Sequence, residues 1–290
     1  MNCPTHPVVE IRWRCDACFD AFCDACVDLQ GDGAARTEVC PHCRGKVASV
    51  QGSRVPVGST FFSALPTAFA YPFRGSGGGM LLVGAVLIFG IAIVASMFRG
   101  GVRGSLFQVI LMTTCSGYLV AHMMGVITST AEGDDETPHW PDVTDFVEDV
   151  LTPLAHGGAV LIVSSLPAIV YALAAEPPDV LVDAVFWALA GVGGFYAPMA
   201  FLGVASFGRL AALSPHIIVP AIFRVFGQYL TALVVLAALV AGVTTLGVLM
   251  AGAYPVLGML AVAALTLYTC VVVARILGLL LRTNADRLGW

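Results

Sequence analysis

MLLVGAVLIFGIAIVASMF, residues 80–98, runs nineteen residues without a charged side chain. As a helix it rises about 28 Å, close to the ~30 Å of a bilayer's hydrocarbon core. Five further stretches repeat the pattern: Leu106–Ile127, Leu151–Ala175, Ala184–Phe207, Tyr229–Ala251 and Val256–Ala274. They predict an all-α polytopic membrane bundle of about six transmembrane helices within residues 61–290. Composition agrees: 58% of the chain is hydrophobic, 11% is charged and the mean hydropathy is +0.87. A water-soluble domain carries about 25% charge, so these spans are built for a hydrocarbon solvent.

The segments around the spans are read by pattern. Residues 46–60, KVASVQGSRVPVGST, lack periodicity and predict a linker. Phe61–Phe73 is aromatic but broken by two prolines, which predicts an interfacial segment. Pro215–Phe226 predicts a surface-lying helix, and Ile276–Leu281, bracketed by Arg275 and Arg282, predicts an exit helix. Pro198 predicts a kink in the fourth span. Ala190/Gly194 and Gly193/Ala197 are small-residue pairs that predict close helix packing and also allow self-association. Cys115 and Cys270 read as apolar packing residues.

Orientation follows from basic residues, which are retained on the cytoplasmic side. With both termini cytosolic, Arg44, Lys46, Arg54, Arg74, Arg209, Arg224, Arg275, Arg282 and Arg287 lie inside, and only Arg99 and Arg103 outside. An even number of spans fits this reading. The two outer arginines point to a shallow or re-entrant first hairpin.

Between the second and third spans, AEGDDETPHWPDVTDFVEDV carries eight acids and neither Lys nor Arg. Such oxygen-rich loops attract hard cations, but no EF-hand spacing is present and the plain reading is a solvated loop. A short helix is expected from Asp142 or Thr144, with Trp140 anchoring it at the interface. His122 and His156 flank this loop and are expected near helix ends, satisfied by water.

The other informative segment is N-terminal. Seven of nine cysteines fall within the first 43 residues. The chain starts MNCPTHPVVEIRWRC, without the apolar core of a secretory signal, so the thiols are expected in the reducing cytosol. Four ligand pairs occur: Cys3-x-x-His6, Cys15-x-x-Cys18, Cys23-x-x-Cys26 and Cys40-x-x-Cys43. Eight such ligands fill two tetrahedral zinc sites without an open position, the pattern of structural rather than catalytic zinc. Only four residues separate Cys18 from Cys23, so loop geometry favours an interleaved pairing. In it Cys3, His6, Cys23 and Cys26 hold one ion, and Cys15, Cys18, Cys40 and Cys43 the other. The sequential pairing joins the first two knuckles and the last two. His42 lies inside the last knuckle and is read as a neighbour of the site. Trp13, Phe19, Phe22, Val27 and Leu29 are the expected miniature core of a segment that needs a metal staple to fold.

Over residues 1–45 this pattern resembles a B-box-type zinc finger of the bacterial sort, although a CPHC knuckle replaces the terminal His pair of animal B-boxes. The resemblance implies a cross-braced two-zinc module for protein–protein contact. Gly117-Tyr118, the Pro138-x-Trp140-x-Asp142 loop and the ending LLLRTNADRLGW resemble a prokaryotic polytopic membrane family, broadly similar in build to Yip-type (Ypt-interacting) membrane proteins. That resemblance covers residues 60–290, implies multi-pass residence in a bacterial inner membrane, and carries no reaction with it.

Enzyme signatures are absent: no HExxH, GxSxG or P-loop pattern occurs, so no catalytic residue is assigned. Nucleic acid is not an expected partner, because the acids of residues 1–45 outnumber Arg12, Arg14, Arg36 and Arg44. The expected function is a membrane-anchored interaction or scaffold protein that meets the lipid bilayer and a cytosolic protein. A transporter or channel with a zinc-finger regulatory domain is the alternative.

Overall fold

The computed structural model describes residues 6, 13–15, 18, 21–23, 25–30, 37–45, 47–49, 60–97, 101–140, 145–175, 182–253 and 255–288. The chain divides into two compact units, Met1–Val57 and Gly58–Trp290.

The first unit is built from short strands: β1 (Trp13–Cys15), β2 (Ala21–Phe22), β3 (Asp28–Gln30), β4 (Thr37–Val39) and β5 (Val47–Ser49). They form an antiparallel sheet in the order β2-β1-β5 and a separate β3-β4 hairpin. Strand β5 pairs with β1 in the register Cys15↔Val47 and Trp13↔Ser49. Residues 47–49 therefore belong to this unit rather than to the predicted linker, because the edge of β1 needs partners for its backbone groups. Among the described residues its core cluster holds Cys15, Phe22 and Cys40, with Trp13, Cys18, Cys26, Val27 and Val47 packed around them. Of the expected core, Phe19 and the Leu29 side chain lie outside the described residues.

The second unit is helical: α1 (Phe61–Ala64), α2 (Thr67–Ala70), α3 (Gly77–Met97), α4 (Gly101–Glu132), α5 (Thr152–Ala175), α6 (Ala184–Phe207), α7 (Pro215–Arg224), α8 (Phe226–Ala253) and α9 (Pro255–Leu288). Six of these contain stretches long and apolar enough to cross a membrane. The predicted interfacial segment forms α1, α2 and a 3₁₀ turn at Tyr71–Phe73.

Helix α9 is the hub, touching α1 to α4 and α6 to α8. Residues 255–283 of it run as helix up to a kink at Asn284, a rise of about 43 Å that still exceeds a ~30 Å hydrocarbon core. Helices α1, α2 and α7 pack on it, and Phe61, Ala64, Ala68, Ile218, Ala221 and Ile222 share one core with its buried residues. The predicted surface helix thus exists but lays an apolar face on α9. Residues 276–281 are not a separate exit helix: α9 continues through them, with Ile276, Leu277, Leu279 and Leu280 buried.

Glycines set two close helix approaches. A methyl group on Gly193 would stand 2.1 Å from the Ser164 carbonyl oxygen, so α5 and α6 meet backbone to backbone there. One on Gly278 would stand 2.5 Å from Thr130 Cβ, which fixes α4 against α9. Gly193 is thus spent on packing inside the bundle, whereas Gly194 has nothing within 4 Å.

The approach at Gly278 brings Arg275 beside the end of α4. Arg275 is 1% exposed, contrary to its assignment as a water-facing basic residue. Its Nη1 donates to Thr130 Oγ1 at 3.1 Å and to the Asp134 carbonyl at 2.6 Å. Its Nη2 pairs with the Asp135 carboxylate. The guanidinium lies 4.2 Å from the centre of the Tyr71 ring, a cation–π contact. The Tyr71 hydroxyl donates to the Glu136 carbonyl at 2.9 Å, and burial holds that phenol above its ordinary pKa, so it stays a donor.

The acidic connection is therefore no free loop. From Asp134 it folds back along α4 until Trp140 stacks on His122, with centroids 4.6 Å apart, and on Tyr118 at 5.3 Å. Tyr118 lies about 21 Å before the end of α4. A methyl on Gly84 of α3 would stand 2.8 Å from the same indole, about 10 Å into that span. Trp140 is thus packed inside the bundle instead of at its rim. His122, 4% exposed, lies beneath this indole about 15 Å before the end of α4 and not at the helix end expected for it. A π turn at Val147–Leu151 then leads into α5; the proposed caps Asp142 and Thr144 lie outside the described residues.

The ends of this unit meet at one side. Tyr268 of α9 donates to the Phe69 carbonyl at 3.0 Å, and Arg224 donates to the Leu288 carbonyl at 2.8 Å. The entry to α3, the α4–α5 and α6–α8 connections and the end of α9 share that side, as an even number of crossings requires.

Two predictions follow from these contacts. In the Arg275–Asp135 pair the arginine is the fully buried member, whereas Asp135 keeps 27% exposure and has Arg282 at 3.8 Å. Asp135→Asn leaves a buried charge without its counter-ion and is expected to cost about 3 kcal/mol. Arg275→Met is expected to cost less; thermal unfolding in detergent showing the reverse order would contradict this assignment. Asp183 caps α6, accepting from Val185 N–H at 2.8 Å and Phe186 N–H at 2.9 Å. The Phe186 amide foremost, with the Tyr171 hydroxyl and Val185 amide, holds its carboxyl below the ordinary value. A depressed pKa stabilises above the unfolded value and is lost as pH falls through the folded one. Asp183→Ala should therefore lower the melting temperature at pH 7, by a margin that closes below about pH 4.

Candidate metal centre

Four of the five strands described in the first unit, β1 to β4, begin or end near a potential ligand. Cys15 closes β1, Cys23 follows β2, Cys26 precedes β3 and Cys40 follows β4. The β3–β4 register pairs Asp28 with Val39, so the open end of that hairpin carries Cys26 on one arm and Cys40 on the other. The β1–β5 register aligns Cys15 with Val47, which returns the Cys40–Cys43 knuckle to the end of β1.

Two groups of ligand atoms result, each drawn within 4.8 Å. The first is Cys15, Cys18, Cys40 and Cys43. Its Sγ–Sγ distances are 3.3 Å for Cys15–Cys43, 3.6 Å for Cys18–Cys40 and 3.7 Å for Cys18–Cys43. The second is His6, Cys23 and Cys26. There His6 Nδ1 lies 3.3 Å from Cys23 Sγ and 3.2 Å from Cys26 Sγ, and the two sulfurs are 3.6 Å apart. Cys3 lies outside the described residues. The structure gathers these side chains in the interleaved arrangement and not the sequential one.

The distances test the fit of a metal. A disulfide needs about 2.05 Å, so these are separate thiols. Metal–sulfur bonds of ~2.3 Å at tetrahedral angles place two sulfurs about 3.8 Å apart. The observed edges approach that value, and neither group contains a carboxylate among the described residues. Both groups can therefore hold a metal ion, and the four-cysteine group has no position left for a substrate.

Burial divides the ligands. Cys15, Cys23 and Cys40 are fully buried, whereas His6 and Cys43 face outward. Arg44 N–H donates to the Cys40 carbonyl at 2.9 Å, and Cys40 N–H donates to the Gly45 carbonyl at 3.0 Å. Closing this knuckle forces Arg44 to a φ of 55°, in the left-handed region. His42 is not a ligand of either group and sets its ring edgewise on Phe22, 5.8 Å away.

The second unit holds the polar residues that sequence reasoning missed, Arg275 and His122. The signal for Arg275 was its setting, VVVA on one side and ILGLLL on the other, in which a lone cation needs a carboxylate partner. Cys115 and Cys270 are half-buried, in α4 and α9, and join neither group. Compared with family models, with curated proteins and with solved structures, the chain gives no match in any of the three.

Arg44→Gly removes a left-handed Cβ that costs about 1–2 kcal/mol. It is expected to slow limited proteolysis of the first unit in the intact protein. Faster cleavage would mean that the arginine side chain contributes more than its backbone strain costs.

Proposed function

We propose that this chain is a membrane-anchored adaptor whose N-terminal unit is a closed two-zinc module that holds a cytosolic partner protein at the bilayer. The carrying observation is the pair of interleaved ligand groups, Cys15/Cys18/Cys40/Cys43 and His6/Cys23/Cys26. Zinc is the proposed metal because tetrahedral thiolate and imidazole sets without redox or open positions suit it; Cys3 supplies the eighth ligand. A module with so small an apolar core uses the metal for folding, worth on the order of 10 kcal/mol per site. What remains on its surface is then free for recognition, and the B-box-type resemblance supports protein contact. Both termini are assigned to the cytosol of a bacterial inner membrane from the distribution of basic residues.

A second reading, transport, is favoured by one feature. The α4–α5 connection carries non-helical backbone deep into the bundle, a device by which transporters form binding sites.

Capture of the intact protein from its native membrane tests the first reading. The Cys23→Ser/Cys26→Ser variant is expected to lose its specific partner while keeping the melting temperature of the helical unit. A variant that retains every partner would contradict the adaptor. Proton, Na⁺ or K⁺ flux into reconstituted vesicles above that of empty vesicles would move the assignment to transport.

A further inference from the structure

We infer that His122, Thr137 and the backbone carbonyl of Pro72 form a built site for one ordered water in the cavity beside Trp140. A neutral imidazole offers one donor and one acceptor nitrogen. His122 is 4% exposed, and its Nδ1 has no hydrogen-bond partner among the described residues. Buried polar atoms are almost always satisfied, so this one marks a place where something else belongs.

The space beside it has the right size. A cavity of about 10 Å³ is lined by His122, Thr137, Pro72, Gly77, Met80 and Trp140, among others. One water needs roughly 10–15 Å³ and two to four polar partners.

The polar partners converge there as well. A methyl group on Gly77 would stand 2.6 Å from the Pro72 carbonyl oxygen and 2.7 Å from Thr137 Oγ1. Both oxygens therefore border Gly77 and lie close enough together for a single molecule to bridge them. Thr137 makes only a long contact to the Arg74 carbonyl, 3.5 Å, so its hydroxyl is available to turn inward. The bonding closes without a charge: the water donates to His122 Nδ1 and to the Pro72 carbonyl, and accepts from the Thr137 hydroxyl. No carboxylate lines the cavity to hold a cation, and a hydrocarbon guest would leave the imidazole unsatisfied. A side chain at position 77 would press on both of these oxygens, so glycine there preserves their placement.

Such a water ties three separate segments together: the 3₁₀ turn before α3, the middle of α4, and the connection carrying Trp140. It is a second fastening of that connection, independent of Arg275.

The test is a density map of the intact protein at a resolution that shows ordered water, together with a thermal double-mutant cycle. A peak within hydrogen-bond distance of His122 Nδ1 and Thr137 Oγ1, lost in Gly77→Ala, is the expected result. His122→Phe and Thr137→Val should each lower the melting temperature, and the double variant should fall no further than the worse single one, because both lose the same water. A cavity without density, or losses that add in full, would overturn the inference. So would a peak with a metal's anomalous signal and short bonds to His122 and Met80. If the variants fail to fold, the wild-type map alone decides.

Discussion

A guanidinium buried in an apolar bundle must find every partner it needs within reach, and Arg275 organises one end of this molecule by that requirement. Removing such a charge from water costs several kcal/mol unless hydrogen bonds and a counter-ion replace the solvent. Here the replacements come from three places: Thr130 on α4, the backbone and carboxylate of Asp134 and Asp135, and the face of Tyr71. Each partner brings its segment with it. The 3₁₀ turn before α3 and the α4–α5 connection are both drawn onto α9, whose close approach to α4 depends on Gly278. Once the connection starts at Arg275 it has little freedom, and its next residues carry Trp140 down between α3 and α4.

The N-terminal unit meets a different constraint. Among the described residues its buried apolar cluster is Cys15, Phe22 and Cys40. Sheet pairing of two or three residues per strand cannot hold such a unit alone. The strands instead deliver ligands: each knuckle contributes to one group while the knuckle between it and its mate contributes to the other. On the proposed reading the two ions staple the unit twice, and loss of either loosens the whole. On that reading, metal ligation takes the place of the apolar core that so short a segment lacks.

Much of this was legible in the residues. The six apolar stretches gave helices in the right places because hydrophobic length is a strong signal, and three of the four x-x spacings gave pairs that the structure gathers, together with His6 of the fourth, whose Cys3 lies outside the described residues. The failures have a common cause: they depend on what a residue meets far along the chain. Val47–Ser49 lacks strand periodicity, and only the free edge of β1 makes it a strand. Arg275 reads as a membrane-border cation until Asp135, 140 positions earlier, is placed beside it. Trp140 and His122 read as interfacial because an acidic loop is expected in water, yet the aromatic residue in that loop is aimed inward. The helix break expected after Arg275 did not occur, because α1, α2 and α7 supply the apolar cover that lipid would otherwise provide.

X-ray absorption at the zinc edge of the intact, purified protein tests the central claim most directly. Seven sulfur ligands and one nitrogen over two ions, with Cys3 completing the His6, Cys23 and Cys26 group, predict two zinc ions per chain. The averaged shell should hold about 3.5 sulfurs at ~2.3 Å and 0.5 nitrogen at ~2.0 Å. One ion per chain, or a shell with a larger share of oxygen or nitrogen, would contradict a closed two-zinc module.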